Sequence, residues 1–132
     1  MDRAAAELRR ALAAASCVAQ AEILRMDGTV RCSTGRFLTT VQEGRRLVRV
    51  FDEPADALAH GITVGGRTYA VAEANGHVVH GSHADTGVVA VKCPPFVIVG
   101  LYTEGRRPAD VVLALDRLAA LITSHLQPPG GE

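Results

Sequence analysis

No tryptophan occurs in this chain, and its three phenylalanines and two tyrosines all fall between the segments that read as its first and last helices. Flat stacking surfaces are therefore excluded from both terminal helices. Net charge is absent too: 14 basic residues balance 14 acidic ones, so no bulk field exists to hold nucleic acid or an anionic membrane, and a charged partner must be met by a local patch. Long apolar runs are missing. The longest with β character is Phe96–Leu101, far short of the roughly 20 residues of a membrane-spanning helix, and no transmembrane segment is expected. Cysteine is sparse. Cys17, Cys32 and Cys93 are odd in number and far apart with no apolar leader before them, which argues against a disulfide scaffold and predicts a reducing, cytoplasmic location. The glycines sit at hairpin turns with no helix following, so no phosphate-cradling loop is expected.

What is present is patterned. At 132 residues with 48% hydrophobic, the chain suits one core and hence a single domain over residues 1–132, with 127–132 as a frayed tail. Asp2 can cap a helix carrying Ala5, Leu8, Leu12 and Ala15 at helical spacing and ending near Ser16. A strand Val18–Arg25, the turn Asp27-Gly28 and a return Val30–Cys32 read as a hairpin. Thr40 followed by Glu43 reads as a capping box for a second helix with Leu47, Val48 and Phe51 inward, which Pro54 stops. From His60 the period becomes two: Ile62–Val64, Arg67–Glu73, His77–Ser82, Thr86–Lys92 and Phe96–Tyr102 are joined by connections too short for crossover helices. That predicts an α+β fold built on an antiparallel meander. Pro108 and Asp110 open a last helix whose Val111, Leu115, Leu118 and Ile122 form an apolar stripe.

Catalytic chemistry finds little support. His77, His80 and His83 recur every third residue, but a strand of period two sends His77 and His83 to one face and His80 to the other, so they do not converge on a metal. Ser82, His83 and Asp85 are neighbours in sequence, whereas nucleophile relays are assembled from separate elements. No enzyme activity, metal or cofactor is expected, and function should lie on a surface.

Three stretches carry a resemblance: Asp27-Gly28-Thr29-Val30, Gly61 through Tyr69, and Thr86 through Lys92 followed by Tyr102-Thr103-Glu104-Gly105, with Asp116-Arg117-Leu118 near the end. Together they resemble the profilin family over nearly the whole chain. The segments TGVVAVK and YTEG look most like the divergent fourth, germ-cell type of mammalian profilin. The resemblance implies a profilin-like antiparallel sheet with the N- and C-terminal helices packed together on one face and a smaller helix on the other.

It also implies three binding activities on a cytoskeletal protein. Actin monomer would be met by Thr68, Ala70, Ala72, Glu73, Lys92, Arg106, Arg107, Val112, Leu113 and Asp116. Here Glu73 replaces an arginine of vertebrate members, and Val112 and Leu113 replace an Asn and a Lys, which predicts weakened binding. Poly-proline recognition needs aromatic faces between the terminal helices. This chain offers Leu8, Arg31 and Leu121 there, a degenerate site, and poly-proline ligands are not expected to bind. Anionic phospholipids could be met by Arg45, Arg46 and Arg49 with Arg106 and Arg107. About 1 kcal/mol per basic residue makes that contact loose, and a divergent profilin acting as a lipid-binding or other cytoskeletal adaptor without actin is the alternative.

Overall fold

The computed structural model describes residues 10, 18–34, 39–103, 105 and 107–126, the side chains of 122–126 excepted. The helix expected over residues 2–16 lies outside the described residues apart from Arg10, which is helical and exposed. So do Leu8, Arg106, the tail 127–132 and the expected packing of the first helix against the last.

Strands β1 (Gln20–Arg25), β2 (Val30–Ser33), β3 (Ile62–Val64), β4 (Arg67–Ala74), β5 (Val78–His83), β6 (Thr86–Cys93) and β7 (Phe96–Tyr102) form one sheet in the order β2-β1-β7-β6-β5-β4-β3. Every pairing is antiparallel. The turns follow from their residues. Asp27 Oδ1 accepts the Thr29 amide at 2.9 Å and Gly28 takes φ +91°. Gly65 and Gly66, at φ +59° and +81°, supply the two consecutive left-handed residues that a tight hairpin turn needs. Asn75 Oδ1 accepts the His77 and Val78 amides at 2.7 and 2.8 Å. The β5–β6 turn is less well served, because Ala84 holds φ +54°, a conformation that costs an alanine about 1–2 kcal/mol. Ala84→Gly is expected to raise stability by about 0.5–1 kcal/mol after the added chain entropy of glycine. A urea melt checks this, and an unchanged or lowered midpoint would refute it.

Helix α1 (Val41–Val50) carries the capping box: Thr40 Oγ1 accepts from the Glu43 amide at 3.1 Å, and Glu43 Oε1 accepts from the Thr40 amide at 3.2 Å. The Glu43 carboxylate also accepts the Gly65 and Gly66 amides at 3.0 and 2.8 Å, tying the helix start to the β3–β4 hairpin. Pro54 does not simply end the helical region. It opens a further helix, α2 (Pro54–His60), because proline's fixed φ and missing N–H suit a first turn. Helix α3 (Pro108–Leu126) closes the described chain.

Each face of the sheet has its own apolar layer. On one, Val111, Leu115 and Leu118 of α3 pack with Ala21, Ile23, Val89, Val91 and Ile98. On the other, Leu47, Val50 and Phe51 at α1 and Ala57 of α2 pack with Leu24, Val79, Val88, Ala90, Val97 and Val99. Coverage on both sides explains why β6 and β7 read as near-continuous apolar runs rather than alternating ones.

Candidate binding surface

Helix α3 lies over β6 and β7, and the same side of β4 and β5 carries exposed residues beyond it. Strand alternation selects what is displayed there. Tyr69 and Val71 of β4 turn toward the α1–α2 layer, so Thr68 and Ala70 point the other way, both exposed. The register shifts between Val71 and Glu73, and Glu73 then stands directly opposite His80. Ala70 stands opposite Ser82. Glu73, His80 and Ser82 thus share this face with Thr68 and Ala70. The first turns of α3 extend it with half-buried Val112, half-exposed Leu113 and Asp116, whose Oδ1 lies 3.3 Å from His77 Nε2.

The floor of the surface is fixed by a tyrosine. Tyr102, 7% exposed, brings its phenol oxygen 2.6 Å from His80 Nε2. The ring can lie across β6 because the residue beneath it is Gly87, where any Cβ would run into the ring. Burial pushes the Tyr102 phenol up from its ordinary value. It pushes the His80 imidazole down, an effect that Glu73 across the strands partly offsets.

The structure divides the residues expected to act together. Thr68, Ala70, Glu73, Val112, Leu113 and Asp116 gather on this side, with Arg107 exposed just before α3. Lys92 does not join them. It follows Ala90 in alternation onto the α1–α2 face, where Nζ lies 3.7 Å from Asp52. The histidines are also rearranged: His77 precedes β5, so its ring escapes strand alternation and reaches α3 on His80's side, while His83 stacks edge-on against Tyr69 on the far side. No local sequence signal marks His77, His80, Tyr102 and Gly87 as parts of this surface. Only the cross-strand register, pairing Gly87 with Tyr102 and Glu73 with His80, could have assembled them.

The other candidates stand apart. Arg45, Arg46 and Arg49 are exposed on the outer side of α1, across the sheet from Arg107. Arg46 and Arg49 border a cleft of about 320 Å³ together with His60 and with Glu53 and Asp56, two carboxylates that offset their charge. Arg31 lies in β2, and Leu121 is 44% exposed on α3. Among the described residues no group of three His, Cys, Asp or Glu side chains is placed to hold a metal ion, and no described helix is long and apolar enough to cross a membrane.

The profilin family model matches residues 6–125. The chain belongs to the profilin family. Profilin-A of Physarum polycephalum is 32% identical over 99 residues, which span 75% of this profilin and 78% of that relative. The solved structure of profilin IA from Acanthamoeba castellanii superposes with a TM-score of 0.83 at 25% identity, covering 89% of this chain and 94% of that one. LokiProfilin1, solved in complex with rabbit actin, shares the fold with a TM-score of 0.76 at 15% identity over 94% and 97% of the two chains. These matches account for the antiparallel seven-stranded sheet flanked by helices. Profilins as a family are actin-binding proteins without enzymatic activity, which agrees with a surface rather than a cavity as the place of function.

Proposed function

We propose that this profilin regulates actin dynamics in the cytoplasm by binding actin monomer with reduced affinity, and that it has lost poly-proline recognition. One observation carries the reading: the side of β4 and β5 beyond α3 presents Thr68, Ala70, Glu73 and Ser82, continuous with Leu113 and Asp116 on α3. The actin complex of LokiProfilin1, which shares the fold, supports an actin partner. The chemistry of the surface supports weakening, because Glu73 puts a carboxylate where the resemblance to vertebrate profilins calls for an arginine, and Val112 and Leu113 stand in place of an Asn and a Lys. For poly-proline, Arg31 and exposed Leu121 offer no aromatic plane for stacking. Within the family, Thr86–Lys92 and Tyr102–Gly105 support placing the chain near the divergent germ-cell mammalian type.

Actin titration with a pyrene polymerisation readout tests this. Wild type is expected to enlarge the monomer pool only at high micromolar protein. Glu73→Arg is expected to tighten binding about tenfold, equivalent to about 1.4 kcal/mol. If neither protein shifts the pool, the actin reading fails. The second reading, a lipid-surface adaptor, is favoured by the exposed Arg45, Arg46 and Arg49. It requires co-sedimentation with anionic liposomes that falls as ionic strength rises.

A further inference from the structure

We infer that His80 is a contact residue for the actin monomer and that its neutral form is the one that binds, so that acidification loosens the complex. The inference rests on the actin reading above and adds to it a residue and a proton.

His80 occupies a restrained position within the proposed surface. Its Nε2 lies 2.6 Å from the Tyr102 phenol oxygen, and Tyr102 is held by burial and by the space that Gly87 leaves open. The phenol and Nε2 share one short hydrogen bond, the O–H donating to the bare nitrogen in the Nδ1–H tautomer and the phenol oxygen accepting in the Nε2–H one. Protonating His80 fixes Nε2 as a donor, so the phenol oxygen must accept and its hydrogen must point elsewhere.

The charged and titratable groups around His80 are few. β4 supplies Glu73 directly opposite, and β7 supplies Tyr102. β6 places Val89 across from it and contributes no charge. On α3 the facing carboxylate is Asp116, which is engaged by His77. Neighbours within β5 on the same side are Val78 and Ser82. Burial already disfavours the charged imidazole more than Glu73 supports it. A partner covering the surface removes the remaining water and increases that penalty, so binding and protonation of His80 oppose each other. The remaining described histidines are placed elsewhere: His60 pairs with Asp56 on α2 and His83 stacks on Tyr69 across the sheet.

The test measures the dissociation constant for polymerisation-blocked actin monomer from pH 7.5 to 5.5, for wild type and for His80→Gln. Glutamine can still accept from Tyr102 but cannot titrate. Wild type is expected to weaken about fivefold more than His80→Gln over this interval; a bound-state shift of one pKa unit sets a ceiling of tenfold. Binding with the same pH profile in wild type and His80→Gln overturns this inference alone. Absence of binding at every pH overturns the actin reading and this inference with it.

Discussion

Gly44→Ala is expected to cost about 3 kcal/mol or more, the upper end of what inserting one methyl into a closed contact does. Gly44 is buried in α1 at its crossing with the β1–β2 turn. A Cβ there would run into the Gly28 carbonyl oxygen and come close to the Gly28 carbonyl carbon and Cα, so the obstacle is backbone on both sides rather than a yielding side chain. The fit is reciprocal: a Cβ on Gly28 would stand 2.5 Å from the Arg45 amide nitrogen, and Gly28 needs φ +91° besides. Relief requires α1 to lift from the hairpin, which also strains the Glu43 bonds to Gly65 and Gly66. Urea unfolding of Gly44→Ala should show a midpoint lowered in proportion, with an unchanged slope. In the double variant with Gly28→Ala the costs should not add, since either methyl alone forces the elements apart. A loss below about 1 kcal/mol would show that the helix can shift freely and that the contact is not restrictive.

Glu22→Gln is expected to act in the opposite direction. Glu22 lies on β1, 1% exposed, and neither carboxylate oxygen completes a hydrogen bond; nor does the hydroxyl of buried Thr39. Burial drives the Glu22 carboxyl above its ordinary value, and the Glu43 charge adds to the effect. The Thr39 side chain and backbone amide approach the carboxylate and oppose the shift, yet they stop short of hydrogen-bond geometry and leave burial dominant. The sign for stability follows. A carboxyl whose folded value is raised binds more protons when folded, so stability is fully present below the unfolded value near 4.5 and declines as pH rises through the folded value. Glutamine removes the charge and keeps the shape. At pH 7 the variant should be more stable by about 1–3 kcal/mol, the usual penalty of an unsatisfied buried group. Below about pH 4.5 the two proteins should converge. Thermal melts of both across pH 4–8 read this directly; a variant less stable than wild type at pH 7 would mean that the carboxylate has a compensating partner.

Much of the fold could be read from local residue chemistry. The Thr40 and Glu43 capping box, the paired glycines 65 and 66, Asn75, and Pro108 ahead of an apolar stripe each act over a few residues, and each is found where its chemistry places it. What escaped was non-local or ambiguous. Pro54 fits a helix end and a helix start equally well, and only Ala57, buried against the sheet, decides for α2. The extra residue at Ala72 changes which side chains of β4 face outward, and nothing near it in sequence signals the shift. The resemblance groups Lys92 with Glu73, although strand alternation sends it to Asp52 on the opposite face. His80 and Tyr102 meet only because β5, β6 and β7 are in register, a relation that no single segment encodes.

The pairing of β1 with β7, Gln20 against Leu101 through Arg25 against Phe96, has a consequence for biosynthesis. The β1–β2 hairpin leaves the ribosome before β3 to β7, yet its inner edge has no partner until β7 has emerged. A long loop must close before that edge is satisfied, which places the decisive folding event after β7 has been made. A truncation or stall before Phe96 therefore leaves a nascent chain with an open edge and a half-built core, the kind of species on which chaperones and proteases act.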